Sequence, residues 1–214
     1  MKRTNLKLVK EESTGVQITA PNMKVAQFKL VGTAPYMQAR FTEKAITKIK
    51  ATQEAGSQSR GKKIREARNF KADYEGAKHI SDDGWVGVPA GAFRTAMIDV
   101  MRLVGFKMTL GKLSVFVQAD GFDRIDGTPL VKINGKDEMH IGGVRNATGV
   151  LDLRARPMWR KWSIDLRVEW DDDQFSLKDV TNLLHRVGKQ CGIGEGRPNS
   201  RASTGIGFGT FEVK

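Results

Sequence analysis

Hydrophobic positions in this chain follow two different periods, and the sharpest case is the stretch WSIDLRVEW. Trp162, Ile164, Leu166, Val168 and Trp170 fall on one side of an alternation, with Ser163, Asp165, Arg167 and Glu169 on the other. Side chains of a strand point alternately to opposite faces, so this pattern predicts a strand whose sheet has one covered face. Directly after it, Leu177, Val180, Leu184, Val187 and Cys191 recur at helical spacing. Ser176 and Asp179 precede that run at the spacing of a capping box. A second helix is marked by Phe93, Ala96, Met97, Val100, Met101 and Val104, three and four apart. Pro89 suits its first turn and Gly105 its end.

Other strands are shorter. Residues 23–41 are β-like through Val25, Phe28, Leu30, Val31, Tyr36, Met37 and Phe41, and Gly32 and Pro35 divide them into two strands or one bent one. Leu113, Val115 and Val117 alternate, residues 129–133 suit a short strand, and Leu151, Leu153 and Ala155 alternate against Asp152, Arg154 and Arg156. A last strand is expected over 209–213. Residues 1–22 are polar and read as an arm or an edge strand. Residues 42–83 are polar, basic and spotted with Gly and Ser, with a thin apolar stripe over two helical stretches. They are expected to leave the core as an insertion.

The order is therefore β, insertion, α, β, β, extra β, β, α, β. It predicts one α+β domain over residues 1–214. Its core, residues 23–41 and 84–214, is expected to be ferredoxin-like, the RRM-derived βαββαβ arrangement with both helices on one face of an antiparallel sheet.

Charge changes the picture next. The chain of 214 residues carries 36 Lys and Arg against 24 Asp and Glu, a formal net charge of +12. Such an excess repels itself unless a polyanion neutralises it, and nucleic acid is the commonest polyanion. An anionic membrane surface is the rival, but no apolar run approaches the roughly 18 residues that span a bilayer. The N-terminus MKRTNLKLVKEESTG lacks the apolar region of a signal peptide. Cys191 is the one cysteine, which excludes an internal disulfide and a cysteine zinc site and suits a reducing cytoplasm. No metal or cofactor motif is present.

The positive charge is clustered. Lys44, Lys48, Lys50, Arg60, Lys62, Lys63, Arg65, Arg68 and Lys71 fall in the insertion, opposed between residues 44 and 71 only by Glu54 and Glu66. A second cluster is Arg154, Arg156, Arg160 and Lys161, with Trp159 between them. A solvated helical face is the plain reading of the first cluster, and an arm that clamps phosphates is the functional one. Trp159 is expected to pack rather than to stack on bases. Aromatic residues make up 7% of the chain and show no RNP-type pair, so binding should rest on phosphates, with weak sequence preference and strong salt dependence.

The segment CGIGEGRPNSRASTGIGFGTFEV is the most distinctive. GIGEGR fails the G-x-G-x-x-G pattern and follows a helix, whereas a dinucleotide loop follows a strand and opens a helix. The glycines supply left-handed turns and close backbone approach. They also expose amides beside Arg197 and Arg201, where a phosphate backbone can lie.

A helix, a glycine-rich loop and a last strand in GIGFGTFEV resemble the RAMP superfamily, which includes backbone subunits and processing endoribonucleases of CRISPR effector complexes. VGVPAGAFRTAMIDVMR is similar to the backbone-subunit pattern of strand end, proline, small residues and helix, here Val88, Pro89, Ala90, Gly91, Phe93, Arg94 and Arg102. The resemblance implies a phage or mobile-element relative in a bacterial cytoplasm that coats single-stranded RNA or DNA. It also implies side-by-side association into an oligomer or filament. A metal-independent endoribonuclease, and a phage protein that occupies a CRISPR backbone position among effector subunits, are the alternatives. Of the three histidines, His79 stands near Asp82 and Asp83, so His79 and Asp83 are the catalytic candidates, with an ordinary polar loop as the plainer reading. Asp171, Asp172 and Asp173 read as a turn rather than a cation site.

Overall fold

The structure, a computed structural model, describes residues 18–40, 68–145, 151–200 and 205–214, with the isolated positions 47, 50 and 51. The described part is an α+β fold whose sheets are antiparallel. Its frame is a ladder between β1 (Met23–Gly32) and β10 (Ser163–Asp171), in register from Met23 opposite Asp171 to Val31 opposite Ser163. The alternation in WSIDLRVEW becomes this second strand. Trp162, Ile164, Leu166, Val168 and Trp170 are all buried, and facing them from β1 are Phe28 and Leu30. Burying a Leu or Ile side chain contributes about 2 kcal/mol over leaving it in water.

β5 (Val115–Gln118) extends the ladder beside β10, and β11 (Phe211–Val213) beside β1, so the sheet order is β11–β1–β10–β5. Two helices pack on its apolar face. One is α2 (Ala90–Leu103), whose Phe93, Met97, Val100 and Met101 are buried. The other is α4 (Leu177–Arg186), whose capping box forms as the sequence predicts: Ser176 Oγ accepts from the Asp179 amide, and Asp179 accepts from the Ser176 amide at 3.0 Å. In chain order the sheet reads β1, α2, β5, β10, α4, β11. A single π-turn, Val187–Cys191, ends α4.

Two smaller sheets flank this frame. β3 (His79–Ile80), β4 (Val86–Pro89), β6 (Gly121–Phe122) and β7 (Pro129–Lys132) form one, in the order β3–β4–β7–β6. β2 (Tyr36–Met37), β8 (Asp137–Arg145) and β9 (Leu151–Trp159) form the other. β8 and β9 make a long hairpin paired from Asp137–Trp159 out to Arg145–Leu151. One short helix, α1 (Phe70–Gly76), lies against β9. Another, α3 (Met108–Ser114), leads into β5.

Local differences from the sequence reading have physical causes. Leu113, expected in a strand, lies in α3 and is largely exposed, while Gly111 of that helix is packed so closely that a Cβ there would meet the Met101 sulfur. Pro89 is the N-cap of α2 rather than a first-turn residue. Residues 23–40 form two strands, with Phe41 outside the described residues, because Gly32 packs against the Trp162 indole, whose Nε1 donates to Ala34 O at 2.8 Å. Of the expected insertion, residues 42–46, 48–49 and 52–67 lie outside the described residues. Its described end is tied into the body, through α1 on β9 and β3 on β4.

The glycine-rich segment closes the core by backbone contact. Gly209 donates to Pro35 O at 2.7 Å and accepts from the Ile193 amide at 3.0 Å, with φ of +68°. A Cβ at Gly209 would stand 1.8 Å from Ile193 O. Gly209→Ala is therefore expected to lower stability by about 2–3 kcal/mol, read from the denaturant midpoint. A loss below about 0.5 kcal/mol would show that this contact does not hold the segment.

Candidate nucleic-acid interface

A cleft of about 790 Å³ among the described residues opens where four pieces of chain meet. Gly91, Thr95 and Asp99 of α2 form one wall, and the glycine loop from Gly192 to Ser200 faces it. Val144 and Arg154 of the β8–β9 hairpin stand on a third side, and Tyr36, Gln38 and His79 on the fourth. The two segments that carry the sequence resemblance, VGVPAGAFRTAMIDVMR and the glycine-rich loop, thus converge on one cavity.

Its walls present donors. The N-cap of α2 is Pro89, which has no side chain to accept from the first-turn amides, and Gly91 beside it leaves the approach open. In the glycine loop the amides of Gly192, Ile193, Glu195 and Asn199 bond internally, to Val187, Gly209, Met37 and Cys191. Those of Gly194, Gly196 and Arg197 have no acceptor among the described residues. Positive φ at Gly194 and Gly196 makes the alternating turn possible, and a Cβ at Gly194 would strike the Tyr36 ring and Met37 O. Arg197 Nη1 donates to Gly194 O at 3.1 Å and meets no carboxylate among the described residues.

The predicted cations are placed as follows. Lys48, Arg60, Lys62, Lys63, Arg65 and Arg201 lie outside the described residues. Lys50 and Lys71 are exposed. Arg68 bridges Asp73 at 3.1 Å and Asp152 at 2.5 Å, pinning the start of α1 to the hairpin. This contact joins the two clusters that the sequence shows apart. Arg154 lies 3.5 Å from Asp152 and lines the cleft, Arg156 pairs with Glu195 at 2.9 Å, and Arg160 pairs with Glu138 at 2.5 Å. Much of the cluster's charge is therefore matched inside the molecule, and among the described residues Arg154 and Arg197 are the cations that line the cavity. Trp159 is fully buried, with its ring 5.5 Å from Tyr36, and packs as expected.

The uncovered face of the four-stranded sheet carries Gln27, Lys29, Asp165, Arg167 and Glu169, alternating with the buried residues of β1 and β10. Arg167 is held there by Asp120 at 2.8 Å and Ala119 O at 3.0 Å. That face has acids and a tied arginine where base stacking needs aromatic rings on the central strands.

His79 has a partner the sequence did not suggest. Asp83 is exposed in the turn that follows β3, and His79 Nδ1 instead lies 2.8 Å from Asp123 Oδ2, 44 residues away. Asp123 is buried with Arg40, whose Nη2 donates to Asp123 Oδ1 at 3.3 Å and to Asp126 Oδ2 at 3.1 Å. Arg40 Nε lies 3.3 Å from Asp123 Oδ2 without the alignment of a hydrogen bond, so its attraction there is Coulombic. Gln38 completes the network, donating to Tyr36 Oη at 3.1 Å and Gly87 O at 2.8 Å, and accepting from the His79 amide at 3.0 Å. Burial pushes the Tyr36 hydroxyl above its ordinary value, so it stays protonated. Burial also pushes the His79 ring below the ordinary histidine value, although Asp123 pulls the other way. Arg40 and Asp123 carry no local sequence mark, because single charged residues in loops look alike until the chain folds.

No protein-family model matches the chain, and no curated protein matches it.

Removing Asp123's charge would strand a buried guanidinium. Asp123→Asn is expected to cost about 3 kcal/mol in denaturant unfolding. A change under about 1 kcal/mol would mean that Asp126 and water suffice for Arg40.

Proposed function

We propose that the protein binds single-stranded nucleic acid, RNA or DNA, with little sequence preference, holding the phosphate backbone in the cleft between α2 and the glycine loop. The observation that carries this reading is the shared wall of donors. Gly194, Gly196 and Arg197, whose amides have no acceptor among the described residues, line the cleft together with Arg154 and with Gly91 at the uncapped start of α2. Backbone amides and guanidinium groups suit phosphate oxygens and read no base. A net charge of +12 supports a polyanionic ligand.

We read the core as ferredoxin-like. The strand order β11–β1–β10–β5, with the long helix α2 between β1 and β5 and α4 between β10 and β11, supports this. A RAMP-type strand-coating module in a bacterial cytoplasm, phage-encoded and working side by side with copies of itself, is the biological form of the proposal. Met139, Ile141, Leu151 and Leu153, an exposed apolar face of the β8–β9 hairpin, suit such association. A second reading, metal-independent endoribonuclease, is favoured by one observation, the His79–Asp123 pair at the cleft wall. Site-specific cleavage of labelled RNA in EDTA, lost in His79→Ala, would select it over binding alone.

The binding test is anisotropy with a labelled single strand across a salt series. Arg154→Glu with Arg197→Glu is expected to weaken binding about tenfold or more at low salt. It should also reduce the slope of log affinity against log salt by about 1.4, the share of two phosphate contacts. Lys62→Glu, Lys63→Glu and Arg65→Glu together test the basic segment. Arg68 is left out because it holds Asp73 and Asp152. Unchanged affinity in the cleft variant would sink the reading.

A further inference from the structure

His79 stands where the buried polar network reaches the cleft. Its amide is fixed by Gln38 and its Nδ1 by Asp123, a carboxylate itself held by Arg40. A carboxylate acceptor selects the Nδ1–H tautomer of a neutral imidazole. Nε2, which has no partner among the described residues, is then a bare acceptor on a rigidly oriented ring. The ring's surroundings keep it neutral near neutral pH, because burial outweighs the pull of Asp123 and Asp126 and Arg40 adds to it.

That acceptor is unusual for its place. The groups available to phosphate here are donors: the loop amides, Arg154 and Arg197. The two carboxylates that line the cleft among the described residues are already engaged, Glu195 by Arg156 and Asp99 by Asn199 Nδ2 at 2.9 Å. A neutral acceptor held apart from them has no use for a phosphate oxygen and needs a hydroxyl or N–H from the ligand. Where phosphates are held by the backbone-reading wall, the next groups along the strand are the sugars. Bases are not drawn in, because the nearby rings of Tyr36 and Trp159 are buried in the core.

We propose that His79 Nε2 accepts a hydrogen bond from a ribose 2′-hydroxyl of a strand lying in the cleft, so that the site selects RNA over DNA. This rests on the cleft being the nucleic-acid site.

The test uses the full chain and labelled mixed-sequence strands of RNA, DNA and 2′-fluoro RNA, which keeps the ribose pucker but cannot donate. At about pH 7.5, RNA is expected to bind about five- to tenfold tighter than either of the others, the effect of one hydrogen bond. At the acid end of a pH series carried well below the ordinary histidine range, the preference should shrink toward unity as Nε2 gains a proton and becomes a donor. His79→Phe should abolish the preference while leaving DNA affinity within about twofold. The pH series on the unaltered chain stands even if that variant fails to fold. Equal affinity for RNA and 2′-fluoro RNA across the pH series overturns the proposal, as does a preference that survives in folded His79→Phe. A preference that follows base identity in RNA and DNA alike also overturns it, pointing to a base N–H instead. Binding of all three strands without discrimination defeats this inference alone, whereas no binding of any strand defeats the cleft reading beneath it.

Discussion

The ladder between β1 and β10 is the constraint on which the other parts depend. It joins residues about 140 positions apart in the chain, from Met23 opposite Asp171 to Val31 opposite Ser163. A one-residue slip would carry Ile164, Leu166 and Val168 to the solvent face and expose the surface on which both long helices pack. Strand β11 adds to the free edge of β1, and the glycine loop is the connection that must reach it from α4. The hairpin β8–β9 leaves the frame between β5 and β10, so its base is fixed by the same register.

The cleft follows from this frame and from a sterically demanding loop. Backbone packs on backbone where Gly209 meets Ile193 and Gly188 meets Phe211 O, approaches that a Cβ would block. In the same loop the amides of Gly194 and Gly196 have no acceptor among the described residues. One residue type thus serves packing and donor presentation together. Electrostatics then divides the arginines by role. Arg68, Arg156 and Arg160 hold elements to one another through carboxylates. Arg154 and Arg197 are turned to the cavity. The formal charge of the chain overstates the field at any one surface, since close pairs cancel within a few ångströms.

Much of the frame was legible in the sequence, because period and capping are local. The alternation around Trp162–Trp170, the face of α2, the Ser176–Asp179 box and the end of α2 near Gly105 all reappear. The boundary near Leu113 was not, since a short helix and a short strand share the same sparse apolar residues. Arg68 sits in the basic run that the sequence marks as an arm, yet it is an internal tie, a distinction that depends on where Asp152 lies.

By itself the sequence determined an α+β chain of high positive charge, its main strand and two long helices, and a glycine segment that must turn. These are properties of neighbours two to four residues apart and of totals. Tertiary structure alone decided which arginines are matched and that the glycine loop and the start of α2 share a cleft. It also decided that His79 answers to Asp123 rather than to Asp83. The reason is physical: ion pairs and cavities are set by distances of a few ångströms between residues far apart in the chain, and no local pattern encodes those distances.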